Sequence, residues 1–154
     1  MTTIVYKDGV VAYDSRCCAG DLIVDDHYDK KIVRNGVYFF MAGALSDDDN
    51  FIDAWFGKEE PAEDNSNAAI VVDEHGEPWL AAINDTDGFW KRRLYDGHVY
   101  AIGSGSAFAF TALDLGQDAA GAVKTAMKRD CRTGGKVHVY RIKKSKRKVE
   151  EQDG

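Results

Sequence analysis

Thr2 follows Met1 directly, and methionine aminopeptidases remove a methionine that precedes a small residue. A threonine left at an N-terminus carries a hydroxyl and a free α-amine on one residue. The unperturbed α-amino pKa is about 7.7–8.0, so a useful fraction of that amine is neutral near pH 7. It can take the hydroxyl proton directly or through water, which is how N-terminal threonine nucleophiles work. Many chains begin Met-Thr without any such chemistry, so this residue decides nothing by itself. Other reactive types give less. The histidines (27, 75, 98 and 138) are dispersed at no metal-ligand spacing. The three cysteines, two of them adjacent at Cys17-Cys18, fit neither a disulfide framework nor a zinc site. No metal and no cofactor is implied.

A nucleophile at position 2 is useful only if the chain behind it is held rigidly, and the sequence begins a β-type run at once with TTIVYKDGVVAYDSR. Asp8-Gly9, Asn35-Gly36, His75-Gly76 and Asp96-Gly97 each separate two apolar runs. Asp-Gly and Asn-Gly suit a type I′ turn, whose two central residues need positive φ. About eight strands arranged as hairpins follow, hence antiparallel sheets. Three segments have helical spacing. SDDDNFIDAWFG offers Ser46 as N-cap, with Phe51, Ile52 and Trp55 on one face; AFAFTALDL stops at Gly116; DAAGAVKTAMKRD repeats apolar residues at Ala119, Ala122, Val123, Ala126 and Met127. A closing strand, KVHVYRI, follows Gly134-Gly135, and the acidic stretch 58–67 reads as an exposed loop. Runs of strands with segregated helices predict an α+β domain: two antiparallel sheets stacked between helices, an αββα sandwich.

With 154 residues, one domain is expected, over 2–142, followed by a charged, solvated and flexible tail, 143–154. A net charge of -6 and a pI near 5.2 argue against nucleic acid as a partner, because phosphate affinity needs a basic face. No apolar run approaches the ~18–20 residues of a membrane span, and Lys7 and Asp8 interrupt any signal-peptide pattern. The reading is a cytoplasmic protein with reduced thiols and no membrane contact.

TTIVYKDGVVAYDSR resembles the first hairpin of proteasome β subunits and of the bacterial HslV peptidase, which are N-terminal-nucleophile hydrolases. Four further blocks resemble that family in the same order: AGDLIV with KKIV, FFMAGALSD, AIGSGSAFAF and RDCRTGGKVHVY. The last two are the most specific, and the resemblance spans nearly all of residues 2–142. It implies a threonine-type endopeptidase whose nucleophile, and base through its own amine, is Thr2. It implies further that Asp14 pairs with an active-site lysine, and that this lysine is Lys31, with Lys30 competing because the segment before it is one residue longer. Strand alternation lets only one of the two face the site. By the same resemblance the Gly43 N–H serves as oxyanion donor, Ser104 lies beside the Thr2 amine, and Asp130 and Thr133 orient that amine. Taken singly, Asp14 is also a plain turn carboxylate, and Ser104 or Ser106 a plain helix N-cap. Substrate would lie extended between segments 17–20 and 41–45, touching Cys18 and Gly20, with Met41 lining the first specificity pocket.

The match departs in three places. Cys17-Cys18 stand where the family has a small residue and a threonine; with no cationic neighbour evident, the thiols read as inert. The helical pair after MAGALSD is shortened, as in compact homologues from bacteria and bacteriophages. The resemblance implies a homo-oligomer, ring or smaller, acting on peptide or unfolded protein, and the shortening counts against an ATPase partner. The third departure concerns Met1, which blocks Thr2 if it is retained. Two rival readings stand beside the peptidase: an inactive assembly protein that keeps the fold, and an amidase acting on a small molecule.

Overall fold

The computed structural model describes residues 2–143; the tail expected at 143–154 lies, apart from Lys143, outside the described residues, as does Met1. The strands are β1 (Ile4–Lys7), β2 (Val10–Tyr13), β3 (Cys17–Ala19), β4 (Leu22–Asp25), β5 (Lys31–Arg34) and β6 (Val37–Ala42). Helix α1 (Asp48–Trp55) precedes β7 (Ala68–Val72), β8 (Pro78–Asn84), β9 (Gly88–Arg93) and β10 (Tyr100–Ile102). Helices α2 (Ser106–Asp114) and α3 (Ala119–Met127) then lead to β11 (His138–Arg141).

Two antiparallel sheets dominate, one ordered β10-β1-β2-β11 and the other β5-β6-β7-β8-β9, with β3-β4 as a separate hairpin. Strand alternation divides the apolar residues into three cores. Ile4, Tyr6, Val11 and Tyr13 of the first sheet meet Phe40, Ile70, Val72 and Leu80 of the second. The residues between them, Val5 and Ala12, point the other way, onto Ala109, Ala112, Ala122 and Val123 of α2 and α3. On the far face of the second sheet, Phe39, Met41 and Val71 pack against Phe51 and Ile52 of α1. The order is therefore helices, sheet, sheet, helix, and the expected α+β sandwich is borne out. Alanines dominate the α2/α3 side, which lets those helices sit close to the sheet.

Several local expectations need correction. Asp8-Gly9 and Asn35-Gly36 do form turns with positive φ at both residues. Asp96-Gly97, however, closes no hairpin: β9 pairs with β8 while β10 pairs with β1, so this segment crosses between the sheets. Two further hairpins, β3-β4 at Gly20 and β8-β9 at Gly88, make the strands among the described residues more numerous than the eight expected. Ser46 does not cap α1; residues 45–47 form a 3₁₀ turn and the helix starts at Asp48. Neither Ser104 nor Ser106 caps α2, whose N-cap position is Gly105. Among the described residues only α3 has a side-chain N-cap, Asp118 accepting from the Gly121 N–H at 2.7 Å. The stretch 58–67 is a loop, but its last asparagines, Asn65 and Asn67, are buried.

Candidate active site

Position 2 lies at the entry to β1, where the first sheet ends beside the β3-β4 hairpin. Thr2 is buried, and the G-S-G segment after β10 packs against it from one side. A Cβ at Gly103, where φ is +98°, would overlap the Thr2 carbonyl, and one at Gly105 would overlap the Thr3 hydroxyl. Glycine is required at both places by close approach, and Gly103 also by its backbone conformation. The Gly105 N–H donates to the Thr2 carbonyl at 3.2 Å. Main chain thus fixes the residue independently of its side chain.

Asp14 lies beneath the Thr2 hydroxyl, fully removed from solvent. One of its oxygens accepts from the Thr2 hydroxyl, from the Thr3 N–H at 3.1 Å and from Lys30 Nζ at 2.7 Å. The other accepts from the Gly134 N–H at 3.0 Å and the Arg16 N–H at 3.3 Å. Five donors, one a cation, compensate the desolvation of this carboxylate. Lys30 Nζ also donates to the Thr2 hydroxyl. Burial pushes the Lys30 ammonium below the ordinary lysine range, and the charge and hydrogen bond of Asp14 oppose that shift in part.

The lysine expected here was Lys31, and the structure places it elsewhere. Lys31 opens β5 opposite Phe40 and lies half-buried, its ammonium 6.0 Å from the Tyr38 ring centroid. Lys30, 5% exposed, immediately precedes the strand, and its carbonyl accepts from the Met41 N–H at 3.2 Å. Alternation does send the two side chains apart; the extra residue upstream shifts which one turns inward.

On the amine side, the Thr2 N–H donates to Ser104 Oγ at 3.1 Å, and Ser104 donates to Asp130 at 2.6 Å. Thr133 donates to the same Asp130 oxygen at 2.6 Å and meets the Thr3 hydroxyl at 2.8 Å. Asp130 and Thr133 therefore reach Thr2 through Ser104 and Thr3 rather than directly. Burial works against ionisation of Asp130, but donation from Ser104, Thr133 and the Arg132 N–H outweighs it and holds the carboxyl below its usual range. The T-G-G segment serves close approach as well: a Cβ at Gly134 would strike the Arg16 guanidinium, and one at Gly135 the Asp26 carbonyl.

Thr2 and Lys30 stand in the wall of a cleft of about 360 Å³, lined also by Cys17, Cys18 and Gly20 of the hairpin and by Met41, Gly43 and Ala44. Every residue expected to touch substrate lines it. Arg16, which directly precedes Cys17 in the sequence, and Lys30 line it too, so the two thiols do have cationic neighbours, contrary to expectation. Gly43 has φ +127°, and its N–H donates to no other described residue. Sequence reading missed Thr3, Arg16, Asn67 and Asp48. Asn67 bonds Ala44 in both directions and Asp48 as well. The only hint was a pair of asparagines two residues apart at the end of an otherwise acidic loop. Among the described residues no cluster of His, Cys, Asp or Glu could hold a metal, and no helix is long and apolar enough to cross a membrane.

No protein-family model matches the sequence, and no curated protein matches it. Solved structures do. Thiobacillus denitrificans BPH in complex with epoxomicin superposes with a TM-score of 0.63 at 16% identity, over 94% of this chain and 98% of that one. BPH alone gives 0.64 at 17% identity over the same shares. Eukaryotic HslV from Trypanosoma brucei gives 0.64 at 18% identity, over 90% of this chain and 97% of its own. At that identity the likeness is one of fold, and by fold this chain stands with HslV and BPH.

Proposed function

We propose that this chain is a threonine-type endopeptidase of the proteasome/HslV kind, active once Met1 is removed. One observation carries the reading: the Thr2 hydroxyl lies between a buried Asp14 and a buried Lys30, on the wall of a cleft. In this reading the Thr2 Oγ attacks a peptide carbonyl while its proton passes to the freed α-amine. The nearby Lys30 ammonium favours the developing alkoxide, and Asp14 keeps that ammonium in place. The Gly43 N–H donates to the oxyanion of the tetrahedral intermediate. Collapse breaks the C–N bond, the leaving amine takes the proton from the α-amine, and an ester remains on Thr2. Water then attacks the ester, giving up its proton to the α-amine; the acyl C–O bond breaks, Thr2 Oγ takes that proton back, and the acid departs. Ser104, held by Asp130, orients the amine, and Thr133 braces Asp130 against Thr3. Peptide would lie extended between segments 17–20 and 41–45, with Met41 favouring an apolar side chain.

Self-association belongs to this reading. Leu22, Ile23 and Val24 on β4, the strand paired with β3, are 67%, 48% and 60% exposed, an apolar segment that a second copy would cover. Intact mass spectrometry before and after a peptidyl epoxyketone tests the catalytic core, with Thr2→Ala beside it. A species lacking Met1 that gains one adduct, absent from the variant, is expected. Retained Met1 with no adduct would turn the assignment to an inactive assembly protein.

A further inference from the structure

The loop leading into β7 does something its composition does not announce. Asn67 is 1% exposed, and its side-chain oxygen accepts from the Ala44 N–H at 2.9 Å. Its amide nitrogen donates to the Ala44 carbonyl at 2.9 Å and to Asp48 Oδ1 at 3.0 Å. Its backbone is pinned on both sides: its own N–H donates to Asn65 Oδ1 at 3.0 Å, and its carbonyl accepts from the Ile83 N–H at 3.0 Å. Asn65 donates in turn to the Asp47 carbonyl at 3.1 Å and to Asn50 at 3.0 Å. A side chain thus takes the place a neighbouring strand would have beside residue 44.

We propose that Asn67 is a positioning residue for the oxyanion donor, clamping Ala44 through both its N–H and its carbonyl so that the neighbouring Gly43 N–H stays available in the cleft; this rests on the peptidase reading. Two amide groups flank the Gly43 Cα. The clamp consumes the Ala44 N–H, whereas the Gly43 N–H donates to no other described residue and Gly43 lines the cleft. The Asn67 amide also fills the space where a Cβ at residue 43 would sit. Gly43 is therefore constrained from behind as well as by its φ of +127°. An amide meets both demands at once, because it has a donor and an acceptor on one planar group. An aspartate would lose the donor and set a second carboxylate against Asp48.

The test is Asn67→Ala against wild type in three measurements: steady-state hydrolysis of an apolar fluorogenic peptide, affinity for a peptide boronate, and amide hydrogen exchange at Ala44. A donor displaced by about an ångström costs about 100-fold in rate. The expected result is a kcat loss of that order with KM held within about threefold, a split that a merely structural change would not produce. Boronate affinity should fall in parallel, since its tetrahedral oxygen needs the same donor. Exchange at Ala44 should accelerate about tenfold or more as its hydrogen bond is lost. A folded Asn67→Ala with wild-type kcat overturns the proposal, as does unchanged exchange at Ala44. If that variant does not fold, Asn67→Asp keeps the acceptor and decides in its place: a kcat loss of about tenfold or more supports the clamp, and wild-type kcat overturns it. Absence of turnover in wild type would remove the peptidase reading together with this role. Turnover in wild type with an insensitive variant would remove this role alone.

Discussion

Two carboxylates are buried near the cleft, and the chain treats them in opposite ways. Asp14 has a cation, three backbone N–H groups and a hydroxyl around it. Asp48 begins α1 with a hydrogen bond from the Asn67 amide and with two further carboxylates, Asp47 and Asp49, beside it. Burial first, then the repulsion of Asp49 and Asp47, pushes the Asp48 carboxyl up to about 7, and the Asn67 hydrogen bond only partly restrains it. A buried negative charge under Thr2 is balanced by construction. The one behind the Gly43 turn is instead pushed toward its protonated form. The first arrangement suits a group that must hold a lysine through a reaction, and the second leaves the support of the turn sensitive to pH.

The contrast breaks most visibly at Lys30. Lys30→Met keeps the length of the side chain and deletes the charge, leaving Asp14 buried without its cation. Removing one partner of a buried pair typically costs about 3–5 kcal/mol. We expect a loss of that size in urea denaturation at pH 7, together with loss of peptide turnover. A variant as stable as wild type would mean that the backbone N–H groups alone suffice for Asp14.

How much of this was visible beforehand follows from which interactions are local. Hairpin turns at Asp8-Gly9 and Asn35-Gly36 are legible because positive φ is a property of the residues themselves. The helices after Gly105 and Asp118 are legible from their spacing. Whether Lys30 or Lys31 turns inward is not, because one residue of slack before β5 reverses the faces of everything after it. Asp96-Gly97 carries a hairpin signal, yet its flanks join different sheets, a choice made by tertiary packing. Asn67 was the hardest to see: its partners, Ala44 and Asp48, lie 23 and 19 residues away in sequence.

Gly43 adjoins both regions, so Gly43→Ala sharpens the comparison from the other side. The new methyl group would meet the Asn67 amide, and φ of +127° disfavours any side chain. Peptide hydrolysis should fall about 10²–10³-fold, the usual cost of losing one oxyanion donor. The Thr2–Asp14–Lys30 contacts do not involve that position and should survive, so burial of Lys30, followed by its resistance to amine-labelling reagents, should be unchanged. Unimpaired hydrolysis would take Gly43 out of the mechanism.

Asp48→Asn probes the second carboxylate through stability. The folded-state value of about 7 lies above the ordinary aspartate value of about 3.9, so the fold favours the neutral carboxyl. The associated stability is fully present below about pH 4 and is lost progressively as pH rises toward and through 7. Asparagine retains an oxygen for the Asn67 donor and carries no charge. The variant should match wild type at pH 4 and exceed it at pH 8 by on the order of 1–3 kcal/mol in urea unfolding. Parallel pH profiles for the two proteins would place the charge of Asp48 in contact with water.

The smallest effect expected is at Lys31, and it separates the two lysines most cleanly. Lys31 is half-buried at the start of β5, with its ammonium over the Tyr38 ring and no ion pair among the described residues. An exposed cation–π contact contributes about 0.5–1 kcal/mol, and surface substitutions usually stay within about 0.5 kcal/mol. Lys31→Ala should therefore shift the urea midpoint slightly and leave kcat, KM and the yield of epoxyketone adduct at wild-type values. A loss of turnover comparable to that of Lys30→Met would return Lys31 to the reaction. It would require β5 to slip by one residue, and that slip would also carry Ile32 off the face of the second sheet that packs on α1. The two lysines therefore cannot exchange places cheaply, because the register that buries Lys30 is the same one that buries the core beside it.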